Sequence, residues 1–169
     1  PPVGVRIYRP KSSSVNLPGI FFIHGGGMIM GSVEGENLKA MELCESIQAL
    51  VVSVEYRLAP EHPHPAPLQD CYAALTWMAQ NADELAFNPD RLAVVGGSAG
   101  GGLAIATTMM ARDKGFPRIC FQMPLYPMID DRNETSSSYE IMDLGIWDRE
   151  GNIEAWQWYL GGKLADHYA

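Results

Sequence analysis

Val94-Val95-Gly96-Gly97-Ser98-Ala99-Gly100-Gly101 decides the fold of this 169-residue chain. The residues leading into it, Arg91-Leu92-Ala93-Val94-Val95, are apolar at all but the first position and read as a strand. The residues leaving it, Gly102-Leu103-Ala104-Ile105-Ala106 and on toward Lys114, read as a helix. A serine among glycines where a strand turns directly into a helix has the form of a nucleophile elbow. So sharp a turn holds the serine at strained backbone angles. Gly96 and Gly100 leave room for strand and helix to approach each other. The helix start then aims unpaired N–H groups at a reacting oxygen.

A second motif lies upstream. Ile20-Phe21-Phe22-Ile23 is a short apolar run that reads as a buried strand, and it delivers His24-Gly25-Gly26-Gly27. A glycine turn in that position supplies backbone N–H groups to an oxyanion. An incidental serine in a glycine-rich turn would explain the elbow alone, but it leaves the second motif unexplained. Two motifs in this order, each after a strand, read as an acyl-transfer site.

Composition bounds the alternatives. The chain is 47% hydrophobic and 19% charged, which is globular, and its length suits one domain over residues 1–169 with a substantial core. A formal charge of −8 argues against nucleic acid, whose binding rests on clustered Lys and Arg. No run approaches the ~20 apolar residues of a membrane span. No signal-peptide pattern is present, and a start at Pro1 is expected of the middle portion of something longer. Cys44, Cys71 and Cys120 stand far apart among apolar neighbours. They read as buried free thiols of a reducing, cytoplasmic compartment, with neither a disulfide frame nor a metal site.

Val3 to Tyr8 reads as a strand closed by Pro10 and a polar turn over Lys11 to Asn16. Met28-Ile29-Met30 face either the core or an acyl pocket. Glu36 to Leu50 reads as a helix with Leu38, Met41, Cys44 and Ile47 as its buried stripe. Val51 to Tyr56 is a β-branched strand. Tyr56 to Pro67 is an extended, proline-stiffened loop in which Arg57 and Glu61 form a local ion pair. Glu61, His62 and His64 invite a metal reading, which the lack of a third His or Cys nearby makes the weaker one. Pro67 to Phe87 reads as a helix with Cys71, Ala74, Leu75 and Met78 on one face, and Asn88-Pro89-Asp90 as a turn. Gly115-Phe116-Pro117 ends the elbow helix, Ile119 to Pro127 is a strand and its exit, and Asp130 to Ser138 is polar loop. Trp147 to Leu160 reads as a helix whose Ile153, Trp156 and Leu160 cover a core or a pocket rim. Alternating strands and helices imply an α/β fold, a mostly parallel sheet with helices on both faces.

The elbow Gly96 to Gly101, the His24-Gly25-Gly26-Gly27 turn and the Tyr56-Arg57-Leu58-Ala59-Pro60-Glu61 loop occur in one order. Together they resemble the hormone-sensitive-lipase-like branch of the α/β-hydrolases, the bacterial carboxylesterases and acetylesterases. Asp70-Cys71-Tyr72-Ala73-Ala74-Leu75 and Trp158-Tyr159-Leu160-Gly161 are similar to its heroin-esterase-like members, so the resemblance spans nearly the whole chain. It implies hydrolysis of short-chain carboxylic esters, small-molecule substrates, without a cofactor. It makes Ser98 the nucleophile, and Gly26, Gly27 and Ala99 the backbone donors of the oxyanion hole. His24 shapes the turn in this family and is not the base. Two positions depart from the family pattern: Gly97 stands where Asp is common and Gly102 where Asn is common.

The triad acid and His follow the serine in this fold. His167 is the lone histidine after Ser98, and Asp130, Asp131, Asp143, Asp148 and Asp166 read as solvated loop residues. The resemblance therefore places acid and base beyond Ala169, and the N-terminal lid before Pro1. A partial α/β-hydrolase fold without its C-terminal strands would expose a sheet edge near Cys120, open to self-association as a homo-oligomer. Two other readings remain: a catalytically inert fragment, and a non-catalytic small-molecule binder like the plant gibberellin receptors, which keep the elbow serine and lose the His.

Overall fold

Strands and helices alternate in the computed structural model, which describes residues 2–11, 16–143 and 145–169. The strands are β1 (Gly4–Tyr8), β2 (Leu17–Ile23), β3 (Leu50–Glu55), β4 (Phe87–Gly97) and β5 (Phe121–Leu125). The helices are α1 (Asn37–Ile47), α2 (Ala66–Gln80), α3 (Ala99–Lys114), the single-turn α4 (Ser136–Glu140) and α5 (Arg149–Leu160). The strands form one sheet in the order β1-β3-β2-β4-β5. The β3-β2-β4-β5 pairings are parallel, and β1 runs antiparallel on β3. Most of the polar turn expected over Lys11 to Asn16 lies outside the described residues.

Side-chain alternation along the strands builds two cores. Phe21 and Ile23 of β2, Val52 and Val54 of β3, and Leu92 and Val94 of β4 face α2, α3 and α5. Ile20 and Phe22, Val51, and Val95 from the same strands face α1 on the other side. Successive side chains of a strand point to opposite faces, so strands buried on both faces must be apolar almost throughout. Each fully buried Val, Ile or Phe stabilises the fold by about 2 kcal/mol relative to exposure.

Several local expectations change. In α1 the buried residues are Ala40 and Cys44, whereas Leu38, Met41 and Ile47 are exposed. A strict three-residue stride drifts about 60° per step around a helix of 3.6 residues per turn, so its two ends lie on opposite faces. The helix expected to reach Phe87 stops at Gln80, and its face of Cys71, Ala74, Leu75 and Met78 is buried as expected. The expected turn at Asn88-Pro89-Asp90 sits inside β4 instead. Pro18 pairs with Asn88 and Gly19 with Leu92, so the intervening residues bulge from the ladder, and Asp90 N–H donates to Asn88 Oδ1 at 2.9 Å. The polar stretch ending at Ser138 enters α4, capped by Thr135. The α5 helix begins at Arg149 because Asp148 caps it, accepting from Gly151 N–H at 2.9 Å. Cys120 is exposed where a buried thiol was expected, because it precedes β5 at the sheet edge of the described residues; Cys44 and Cys71 are buried.

The Arg57–Glu61 ion pair does not form. Arg57 reaches α2 and grips Asp70 with Nε at 2.7 Å and a second guanidinium nitrogen at 2.8 Å, while its backbone N–H donates to the same carboxylate at 3.0 Å. The Asp70 side chain is 5% exposed. Asp70→Ala will strand these three donors, and urea unfolding should register a loss of about 2 kcal/mol. No helix among the described residues is long and apolar enough to cross a membrane.

Candidate functional site

Register brings the two glycine motifs together. Ile23 at the end of β2 pairs with Gly96 of the adjacent β4, so His24-Gly25 leave the sheet beside Gly97-Ser98. A Cβ built on Gly25 would lie 3.0 Å from the Gly97 carbonyl oxygen and 3.5 Å from Ser98 Cβ. The meeting point is the carboxyl end of two parallel strands whose connections leave on opposite sheet faces, α1 on one and α3 on the other. Crevices for ligands form at such a switch in α/β folds.

Ser98 has φ 57° and ψ −122°, a sparsely populated region that costs about 1–3 kcal/mol for a residue with a side chain. The surroundings enforce it. Ser98 N–H donates to Leu125 O at 2.9 Å, and Ser98 O accepts from the N–H groups of Gly101, Gly102 and Met128. Gly100 has no room for a Cβ, which would stand 2.2 Å from Ile23 O and 2.5 Å from His24 O. The departure at Gly102 has a similar cause, since a Cβ there would meet Met128 O at 2.2 Å. Ser98 is half-buried, and its Oγ has no hydrogen-bond partner among the described residues.

Gly26 lines a cavity with Ser98, and Ala99 follows the serine in the chain. Gly26 (φ 115°) and Gly27 (φ 63°) occupy the left-handed region, and Gly26 O closes the turn by accepting from Ile29 and Met30 N–H. The N–H groups of Gly26, Gly27 and Ala99 have no acceptor among the described residues. Ala99 opens α3, where the helix dipole adds positive potential. His24 is fully buried, stacks on Tyr56 at 4.2 Å between centroids, and has Nδ1 2.8 Å from Gly25 O. Burial holds its pKa below the ordinary histidine value, so the ring is neutral.

Two cavities meet at the serine. One of about 570 Å³ runs past Gly25, Gly26, Met30, Tyr126 and Ile146. The other, of about 330 Å³, is bordered by Asp130, Asn133, Thr135, Trp147, Asn152 and Trp156. Of the three residues expected to face core or pocket, Met28 is core and Met30 lines the larger cavity. No histidine lines either cavity among the described residues. His167 lies 3.8 Å from Asp113, and His64 is held between the Tyr159 hydroxyl (3.1 Å) and Asp166 (3.0 Å). Asp166 and Asp148 are thus engaged rather than merely solvated. Asp130 is bound by Arg132, whose hydrogen bonds pull its pKa down to about 2, so it stays ionised near neutrality and carries no proton to transfer. No group of His, Cys, Asp and Glu able to hold a metal ion occurs among the described residues.

Trp147, Asn133, Asn152 and Ile146 were not singled out by sequence as neighbours of Ser98. They come from a loop and a helix start with no periodic pattern, and no local signal ties them to the elbow.

The chain matches the α/β-hydrolase fold family over residues 20–169. Carboxylesterase NlhH of Mycobacterium tuberculosis is 40% identical over 98% of this chain and 52% of its own length. Among solved structures, bacterial heroin esterase superposes with a TM-score of 0.91 at 41% identity, covering 94% of this chain and 50% of its own. Esterase LipW from Mycobacterium marinum gives 0.92 at 39%, covering 98% of this chain and 52% of its own. The chain spans about half the length of the curated relatives it matches.

Proposed function

The chain belongs to the hormone-sensitive-lipase-like branch of the α/β-hydrolase family, and on that premise we propose that it carries the nucleophile half of a short-chain carboxylic ester hydrolase. The observation behind this reading is the Ile23–Gly96 register, which sets the glycine turn against the elbow serine. Ser98 Oγ attacks the ester carbonyl, and the carbonyl oxygen becomes an oxyanion held by the N–H groups of Gly26, Gly27 and Ala99. Each such donor is worth about 3 kcal/mol at the transition state. Collapse of the tetrahedral species releases the alcohol and leaves an acyl-serine, which water then hydrolyses. The chemistry calls for no cofactor.

A base must take the serine proton and return it to the leaving alcohol, and the described residues bring no imidazole to Ser98. Labelling of the natively expressed protein by a fluorophosphonate, which reacts with base-activated serines, is therefore the test. One adduct on Ser98, located by peptide mass spectrometry and lost in Ser98→Ala, is the expected result. A folded protein that binds small esters without hydrolysis or adduct would be a binder and would overturn the enzymatic reading. The free thiols Cys44, Cys71 and Cys120 fit a reducing, cytoplasmic compartment.

A further inference from the structure

The two cavities at Ser98 draw on consecutive residues of one loop. Ile146 lines the cavity of about 570 Å³ and Trp147 the one of about 330 Å³, while Ser98 and Tyr126 line both.

Trp147 is fixed in two ways. Its indole lies on the glycine turn: a Cβ built on Gly27 would stand 2.0 Å from Trp147 Cη2. Its Nε1–H donates to Asn152 Oδ1 at 3.0 Å. Asn152 Nδ2–H donates in turn to Asn133 Oδ1 at 3.0 Å, and Asn133 Nδ2–H to Arg149 O at 3.3 Å. Asn133 is 7% exposed, so this relay is anchored in the interior. A large, rigid ring with a tethered edge makes a wall; an untethered one would swing aside for a longer ligand. Ile146 has no such tether, and its side chain is fully exposed.

We propose that Trp147 is the specificity-determining residue of the site. It caps the smaller cavity and limits the length of the one substrate limb, acyl or alkoxy, that enters there. The Asn152–Asn133 relay positions it. The inference rests on the esterase reading, because it needs an ester whose two limbs diverge from the carbonyl at Ser98.

Two substrate series test it on the natively expressed protein: p-nitrophenyl esters from acetyl to decanoyl, and acetate esters of primary alcohols from methyl to octyl. Trp147→Ala should raise kcat/KM of the longest member relative to the shortest by about tenfold in one series, the discrimination expected of an apolar pocket wall. The other series should keep its profile. Asn152→Leu and Trp147→Phe both remove the Nε1–H tether, and each should shift the same series in the same direction by less than Trp147→Ala. Unchanged profiles in a folded, phosphonate-titratable Trp147→Ala would overturn the inference, as would a Trp147→Ala that shifts both series alike. Wild-type protein that turns over no member of either series would instead overturn the esterase reading, and this inference with it.

Discussion

Ser98→Ala will reduce ester hydrolysis by about 10⁵-fold or more in kcat, the scale on which removal of a nucleophile falls in serine hydrolases. The fold should not notice. Ser98 Oγ makes no hydrogen bond to any described residue, and the backbone bonds that hold position 98 come from its N–H and carbonyl groups. Alanine retains the Cβ and meets the same strain at φ 57°. Urea midpoints of the two proteins should therefore agree to within about 0.5 kcal/mol of stability. KM should change little, since the substrate limbs contact cavity walls rather than the hydroxyl. A Ser98→Ala protein with wild-type kcat would remove the serine from the chemistry.

The continuity of the elbow in the chain explains how much of the site was legible in sequence. A nucleophile elbow is a local device: strand, small residues and helix occupy one uninterrupted stretch, and the glycines are needed because backbone meets backbone. A Cβ on Gly96 would stand 2.1 Å from Gly100 O, which shows the reason in ångströms. The parallel strands were legible too, because two-sided burial leaves apolar runs such as Ile20 to Ile23 and, broken only by Ser53, Leu50 to Val54. What was lost depends on partners distant in sequence. Asp70 competes with Glu61 for Arg57 and wins because α2 presents its carboxylate to both the guanidinium and the Arg57 N–H. The apolar residues of α1 outnumber its contact surface, so Ala40 and Cys44 pack while Leu38 stays in solvent. Trp147 reaches the elbow from a loop whose path no periodicity encodes. Asp148 differs: a helix-capping residue just before Arg149 was a readable signal, and it gives α5 its start.

Gly26→Ala should cost about 10³-fold in kcat by a different route, leaving the nucleophile in place. Gly26 sits at φ 115°, which alanine rarely adopts, and its new Cβ would stand 2.1 Å from Met30 O. That carbonyl belongs to the turn that Gly26 O itself closes through Ile29 and Met30 N–H, so the collision falls on backbone with no flexible side chain to yield. Relief requires the peptide planes around Gly26 and Gly27 to rotate, which turns both N–H groups away from the oxyanion. Those donors act on charge that exists only once Oγ has attacked, so kcat should fall and KM should hold. Fluorophosphonate labelling should slow in parallel, because that adduct also places an oxygen in the hole. The Gly26→Ala, Ser98→Ala double variant should lose far less than the product of the two single losses, because nucleophile and oxyanion donors act as a unit in the serine pathway. If folded Gly26→Ala keeps kcat to within tenfold of wild type, the glycine turn is a structural hinge for β2, and the oxyanion must be held by Ala99 and other donors.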